Sequence, residues 1–137
     1  MPRYAAERVL LASVDDVWRF LAEPYHLSDW WPGISGVEPD RRGLAVGARW
    51  KVQGPSYLRK PETARMLLVR AVVPRELFSF ELPAARIGVE VHLRATDENR
   101  TSVTISVGGR FLIGPRSRVA ADALSRLYDL VQTAAEL

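Results

Sequence analysis

Two segments that alternate strictly between apolar and polar side chains constrain the fold of this chain more than any other feature. Their apolar members are Ile87, Val89, Val91 and Leu93 in the first segment and Val103, Ile105 and Val107 in the second. Successive side chains of a strand point to opposite faces, so a period of two indicates one buried and one solvent-facing side. Asp97, Glu98 and Asn99 supply turn chemistry between the segments. The pattern therefore predicts an antiparallel hairpin that is buried on one face.

Further strand patterns lie on the amino-terminal side of this hairpin. They are the apolar-rich opening from Tyr4 to Ala12, the alternating set Val46, Ala48, Trp50 and Val52, the apolar run Met66 to Val73, and Phe78, Phe80 and Leu82. Proline punctuates the gaps between the later patterns, at Pro55, Pro61, Pro74 and Pro83. Because Pro cannot donate a ladder hydrogen bond, these gaps are expected to be loops. The spacing predicts an antiparallel meander.

Helical periodicity appears after the first strand pattern and again at the C-terminal end of the sequence. Val14, Val17, Trp18 and Leu21 form one stripe, Ser13 is a suitable N-cap, and Glu23-Pro24 ends the pattern. A short second helix is expected between Tyr25 and Trp31. Residues 116–137 contain no Gly or Pro and carry a continuous apolar stripe that includes Ala123, Leu124 and Leu127. At 1.5 Å per residue, this last segment predicts an amphipathic helix of about 33 Å.

Composition narrows the functional classes. The 137 residues are 47% apolar and 26% charged, as expected for a single globular domain over 1–137. The absence of Cys excludes a disulfide framework, a thiolate zinc site and a cysteine nucleophile. The 19 Lys and Arg residues are scattered, which argues against a nucleic-acid interface. Without long apolar runs or nucleotide and metal motifs, we expect a cytoplasmic monomer or homodimer with no cofactor and no stable membrane insertion.

Several short motifs, taken in order, are similar to one known superfamily. They are the run from Leu10 to Trp18, Trp30 with Pro32, Val46-Gly47, and Pro74-Arg75 before Leu77-Phe78. The run resembles the superfamily's opening strand, its alanine before a turn, and the valine-tryptophan of its first helix. On these motifs the chain resembles the START-like, helix-grip (SRPBCC) superfamily, which includes birch-pollen allergens, polyketide cyclases and lipid-transfer proteins. The similarity extends over essentially the whole chain.

The resemblance implies an α+β helix-grip fold. A curved seven-stranded antiparallel sheet would wrap around the long C-terminal helix, with two short helices between strands 1 and 2. A straight helix touches a curved sheet along only part of its length, so a cavity is expected between them. Its expected ligand-binding wall comprises Trp50, Val69, Phe78, Phe80, Val89, Val91, Val103, Ile105, Ala123, Leu124 and Leu127. Such a wall suits a small hydrophobic molecule, unless the same side chains simply fill the interior.

Four residues are weak candidates for catalysis. His26 precedes Asp29 by three residues, so the two could form a hydrogen-bonded acid/base pair or a surface pair without function. Arg65 shares the parity of Leu67, which predicts an inward side chain that meets either an acid or a ligand oxygen. Arg110 would turn inward only if Gly108-Gly109 forms a bulge.

Two tyrosines are further ligand-binding candidates. Tyr57 lies in the proline-bounded loop and could cover an entrance, and Tyr128 on the flank of the long helix could place its hydroxyl inside. Packing alone would also account for both positions.

Three functions remain open at this point. The first is binding of a lipid, polyketide or aromatic metabolite in the cavity. The second is a polyketide cyclase or dehydratase type of enzyme, which requires acid/base groups inside that cavity. The third is a cochaperone-like interaction domain, which would expose an apolar patch around Met66, Leu68 and Val72.

Overall fold

A computed structural model describes residues 3–53, 66–83, 86–109 and 118–136, with side chains as far as Thr133 in the last range. Its strands are β1 (Arg3–Leu10), β2 (Gly36–Glu38), β3 (Arg49–Gln53), β4 (Met66–Val73), β5 (Leu77–Leu82), β6 (Ile87–Asp97) and β7 (Arg100–Gly109). Its helices are α1 (Val14–Ala22), α2 (Leu27–Trp30) and α3 (Val119–Glu136), and a 3₁₀ turn spans Pro24–His26. Within the described ranges, no helix combines the length and apolar character needed to cross a bilayer.

The seven strands form one antiparallel sheet in the order β1-β7-β6-β5-β4-β3-β2. Strands β2 to β7 therefore follow one another as a meander, and β1 pairs with the last of them. Because β1 and β2 lie at opposite edges, the helices between them carry the chain across one face of the sheet. The predicted helix-grip α+β fold, with its curved open sheet and C-terminal helix, is confirmed.

The first helix forms as its sequence predicts. Ser13 has extended backbone angles, and its Oγ accepts a hydrogen bond from the backbone N–H of Asp16 at 3.2 Å. This bond satisfies one of the donors that a helix leaves free at its N-terminus. Val17 and Leu21 are fully buried, and the helix ends at Ala22, ahead of Pro24.

Two strand patterns differ from the prediction. β3 begins at Arg49 rather than Val46, because Gly47 has a positive φ of 86° that interrupts the extended backbone, and Val46 is exposed. In β4 the pairing register shifts between Val69 and Ala71. This β-bulge reverses the alternation, so Val72 faces the core and the predicted outward position for it is wrong.

The core lies between the sheet and the helices. α3 packs mainly against β1, β7 and α2, and buries Ala120, Ala123, Leu124, Leu127 and Val131. Its 18 residues make a rod of about 27 Å. The predicted start of this helix near residue 116 lies outside the described residues.

Candidate functional site

The face of the sheet that α3 covers, called the inner face here, carries the predicted apolar wall. The wall residues Trp50, Val69, Phe78, Phe80, Val89, Val91, Val103, Ile105, Ala123, Leu124 and Leu127 are each at most 3% exposed. Cross-strand register explains the arrangement, because Val69, Phe80, Val89 and Val107 lie directly opposite one another along a single row. Residues paired in this way point to the same face. In this state the wall is closed to solvent.

Five aromatic rings form a continuous cluster on this side of the molecule. Phe78 connects Trp50 to Phe80, with ring centroids 6.0 Å and 5.2 Å away. Phe80 in turn meets Trp31 edge-on at 5.5 Å and Trp30 at 6.5 Å. Such tilted and edge-to-face contacts are the geometries that aromatic pairs prefer. The cluster joins β3 and β5 of the sheet to the end of α2.

A structured loop holds Trp50 in this cluster. Its Nε1–H donates to the carbonyl oxygen of Gly43 at 2.8 Å. Asp40 organises the same loop, since its carboxylate accepts from the backbone N–H groups of Arg42 at 3.0 Å and Arg49 at 2.9 Å. The Arg49 hydrogen bond is the largest cause that holds the pKa of Asp40 below its usual value. The wall position of Trp50 therefore depends on a loop outside the wall.

Trp31 differs from Trp50 in one respect. It is 0% exposed, yet its indole Nε1 has no hydrogen-bond partner among the described residues. The other buried side-chain atom without a partner in the described part of the chain is Oε1 of Gln132 on α3. Trp31 directly follows α2 and Gln132 lies on α3, and these two helices pack against each other. Unpaired buried polar atoms are uncommon in native proteins and call for an explanation.

His26 and Asp29 do not form the expected pair. The imidazole stacks on the ring of Phe20, with centroids 4.1 Å apart, and its Nδ1 lies 2.8 Å from the carbonyl oxygen of Phe20. This geometry makes Nδ1 the protonated nitrogen, since a carbonyl can only accept. Asp29 is exposed. The imidazole is thus oriented by the end of α1 rather than by a carboxylate.

Tyr128 lies at the border of the inner face. The guanidinium of Arg8 sits 3.6 Å from the centre of its ring, a cation–π contact between β1 and α3. Tyr128 is partly buried and packs against the core. Arg65, Arg110 and Tyr57 lie outside the described residues, so the predictions for them remain predictions.

The described inner-face side chains of β3 to β7 carry no acid or base. They are apolar, apart from the hydroxyl of Thr101, which donates to the carbonyl oxygen of Ala12 at 2.9 Å. In the described ranges no three His, Asp or Glu side chains converge as a metal site would require. The chemistry available on this face is therefore hydrophobic contact supplemented by single hydrogen bonds.

Comparison with known proteins agrees with this architecture. A model of the family described as polyketide cyclase/dehydrase and lipid transport matches residues 1–133. The chain belongs to this family. No curated protein matches it in sequence.

Solved structures similar to this family member show the fold alone, because their sequence identities are low. A protein from Nitrosospira multiformis is 16% identical with a TM-score of 0.73, over 99% of this chain and 100% of that one. The XoxI protein from Bacillus cereus is 11% identical with a TM-score of 0.71, over 98% and 99%. A point mutant of norcoclaurine synthase from Thalictrum flavum, in complex with a transition-state analogue, is 18% identical with a TM-score of 0.66, over 98% and 96%.

A cavity of about 430 Å³ in the described part of this family member lies on the opposite, outer face of the sheet. Its floor is bare backbone at Gly88 and Gly108, which lie directly opposite each other on β6 and β7. Beside it, Arg3 forms a 2.6 Å ion pair with Glu90. This groove is open and lined by both charged and apolar residues, and it differs in place from the apolar cavity that was predicted on the inner face.

Further polar contacts lie on the outer face. Arg70 pairs with Glu81 at 3.3 Å, and Ser102 donates to Glu7 at 2.9 Å. Ser102 is only 4% exposed, so the expected solvent-facing serine is instead covered by the neighbouring strand. Because the bulge in β4 turns Val72 inward, Val72 does not belong to the apolar patch considered for a cochaperone-like surface, whereas Met66 and Leu68 are partly exposed.

Sequence reasoning missed the special character of Trp31. The sequence places it only at the end of a short second helix, and the structure buries it completely. The missing hydrogen-bond partner has no signature in the sequence, because it depends on which atoms of distant strands surround the indole. The available signal for the position of Trp31 was the Pro32-Gly33 pair that follows it. This pair ends α2 and thereby fixes where the Trp31 ring enters the core.

Proposed function

We propose that the chain binds a small hydrophobic molecule between the inner face of the sheet and α3. The observation that carries the proposal is the continuous aromatic and aliphatic wall, whose described members on β3 to β7 include no acid or base. Surfaces of this kind attract apolar or aromatic molecules, because contact removes apolar area from water on both partners. The family description, with its lipid transport and cyclase members, supports the same class of ligand.

The position of α3 supports a site on one side of the wall. The helix makes its main contacts with β1, β7 and α2. Trp50, Val69 and Phe78 lie on β3, β4 and β5, toward the other edge of the sheet. A guest molecule that enters beside β3, β4 and β5 would displace contacts among the side chains of the wall. It would leave the contacts of α3 with β1 and β7 in place. Since the wall is closed in this state, we expect binding to be accompanied by local opening.

A matched pair of helix variants tests the proposal. Ala123 is fully buried and faces the sheet, whereas Ala121 is exposed on the same helix. Ala123→Leu should fill part of the site and weaken binding of 2-acetylnaphthalene about tenfold or more, and Ala121→Leu should leave it unchanged. Isothermal titration calorimetry measures both. Equal affinities for the two variants, or no binding by the unaltered chain, would show that the interior is only a structural core.

Overpacking by Ala123→Leu can also cost stability, about 1–3 kcal/mol. Thermal unfolding without ligand therefore accompanies the titration, and the smaller change Leu124→Met provides a second variant at the wall that keeps its volume. Leu124→Met should change the affinity for 2-acetylnaphthalene, while its unfolding temperature should stay close to that of the unaltered chain.

The cyclase type of enzyme remains the alternative within this proposal. It requires a proton-transferring group inside the site, and the inner face of β3 to β7 offers none among the described residues. The sequence candidates Arg65 and Arg110 would stabilise a developing enolate oxygen rather than transfer a proton, because a guanidinium stays protonated. We therefore favour binding without reaction, and turnover abolished by Arg65→Gln or Arg110→Gln would favour the enzyme instead.

A further inference from the structure

The indole of Trp31 is the one polar group of this residue that the fold leaves unsatisfied. Its backbone N–H donates to the carbonyl oxygen of Leu27 at 2.9 Å, and its carbonyl oxygen accepts from the N–H of Ile34 at 3.4 Å. Its Nε1–H, by contrast, has no partner within the described part of the chain, although the side chain is 0% exposed. Trp50 shows that the same fold can pair a buried indole, since Gly43 accepts its proton.

An unpaired buried donor loses its hydrogen bonds to water and receives nothing in return. A phenylalanine would present a ring at the same place without that penalty. A buried water needs two to four polar partners, and besides this indole the described residues offer one unpaired buried side-chain atom, Oε1 of Gln132 on α3. A bound molecule with an acceptor atom would remove the penalty.

The location of Trp31 connects this donor to the proposed ligand site. Its ring meets Phe80 edge-on at 5.5 Å and Trp30 at 5.9 Å, so it belongs to the aromatic cluster that continues across the inner face. A ligand that lies against this cluster would bring its own atoms close to the indole. The donor is thus placed to select among hydrophobic molecules rather than to attract polar ones.

We infer that the ligand is a neutral hydrophobic molecule with a hydrogen-bond acceptor oxygen, and that the Nε1–H of Trp31 donates to that oxygen. This inference rests on the proposed function. Ketones, esters and quinones attached to an apolar body fit the description. A carboxylate fits less well, because Arg8, which faces this side from β1, is exposed and already lies over the ring of Tyr128, and the described inner-face residues of β3 to β7 include no cation. Trp31 would act as a specificity-determining residue.

Two nearly isosteric probes test the inference. 2-Acetylnaphthalene and 2-isopropenylnaphthalene have the same shape, and differ in that the ketone oxygen of the first is a methylene in the second. The unaltered chain should bind the ketone about tenfold more tightly than the alkene, since one satisfied buried donor corresponds to roughly that factor. In Trp31→Phe the preference should fall to about one. Trp18→Phe, a matched change outside the cluster, should keep it.

The indole proton itself gives a second readout that needs no folded variant for its interpretation. The chain has four tryptophans, so a nitrogen–proton correlation spectrum shows four indole signals. The Trp31 signal should move downfield when the ketone binds and should not do so with the alkene. Equal binding of both probes with no such shift would overturn the inference and leave the proposed function intact. Failure of both probes to bind would overturn the proposed function as well.

Discussion

Paired Trp→Phe substitutions at Trp31 and Trp50 should differ in their effect on stability in the absence of ligand. Both side chains are 0% exposed and both belong to the aromatic cluster, so the loss of ring area is similar in the two variants. Trp31→Phe additionally removes an unpaired donor, which relieves a desolvation cost of about 1–3 kcal/mol. Trp50→Phe additionally breaks the bond to Gly43, which contributes about 0.5–1.5 kcal/mol. We therefore expect Trp50→Phe to be the less stable variant by about 1.5–4.5 kcal/mol.

Urea unfolding of refolded, ligand-free protein measures this difference, with near-UV circular dichroism as the signal and equal m-values as the condition for comparison. Subtracting the free energies of unfolding of the two Trp→Phe variants largely removes the cost of the lost ring area, because that cost is similar in both. If Trp31→Phe were as destabilising as Trp50→Phe, or more so, then the indole of Trp31 would have a partner in solution. The argument for an unsatisfied donor, and the ligand class inferred from it, would then fail.

Two further predictions concern groups that support the site. Asp40→Asn should lower stability at neutral pH, because the folded-state pKa of Asp40 is lowered, chiefly by the Arg49 backbone hydrogen bond. A group with a lowered folded-state pKa stabilises the fold above its unfolded pKa, and this stabilisation is lost as the pH falls through the folded pKa. Unfolding at pH 6 and pH 3 should accordingly show a smaller loss in Asp40→Asn than in the unaltered chain, and an identical loss in both would contradict this. Thr101→Val should cost about 1–3 kcal/mol by leaving the buried carbonyl of Ala12 unpaired. The control Thr104→Val on the outer face should change the midpoint little, and two equal midpoints would refute the role of the Ala12 bond.

The regular elements of this protein follow closely from local sequence. The N-cap at Ser13, the alternation in β6 and β7 and the inward stripe of α3 were all predicted, and each occurs in the structure. These features depend on residues within one turn of a helix or one strand, so the sequence contains their full cause. The family resemblance supplied the order in which such elements are assembled.

Deviations from regularity were harder to predict, as β3 and β4 show. Alternation continued through Val46, but Gly47 takes a positive φ while its N–H donates to Val69 across the sheet at 2.9 Å. In β4 the bulge after Val69 is a property of its pairing with β5, and no residue of β4 alone specifies it. His26 behaves similarly, since the carbonyl of Phe20 took the position that Asp29 was expected to fill.

The sequence by itself determined most of the side chains that enter the core, because burial of apolar area follows from periodicity within each strand and helix. Val46 and Val72 depart from the pattern because of Gly47 and the β4 bulge. Only the tertiary structure decided which buried polar atoms find partners. Trp50 and Trp31 are the same residue type in apolar contexts, yet Gly43 accepts from one indole and no acceptor in the described ranges reaches the other. A hydrogen bond requires two atoms within about 3 Å in the correct direction, and such proximity between distant segments exists only once the chain has folded.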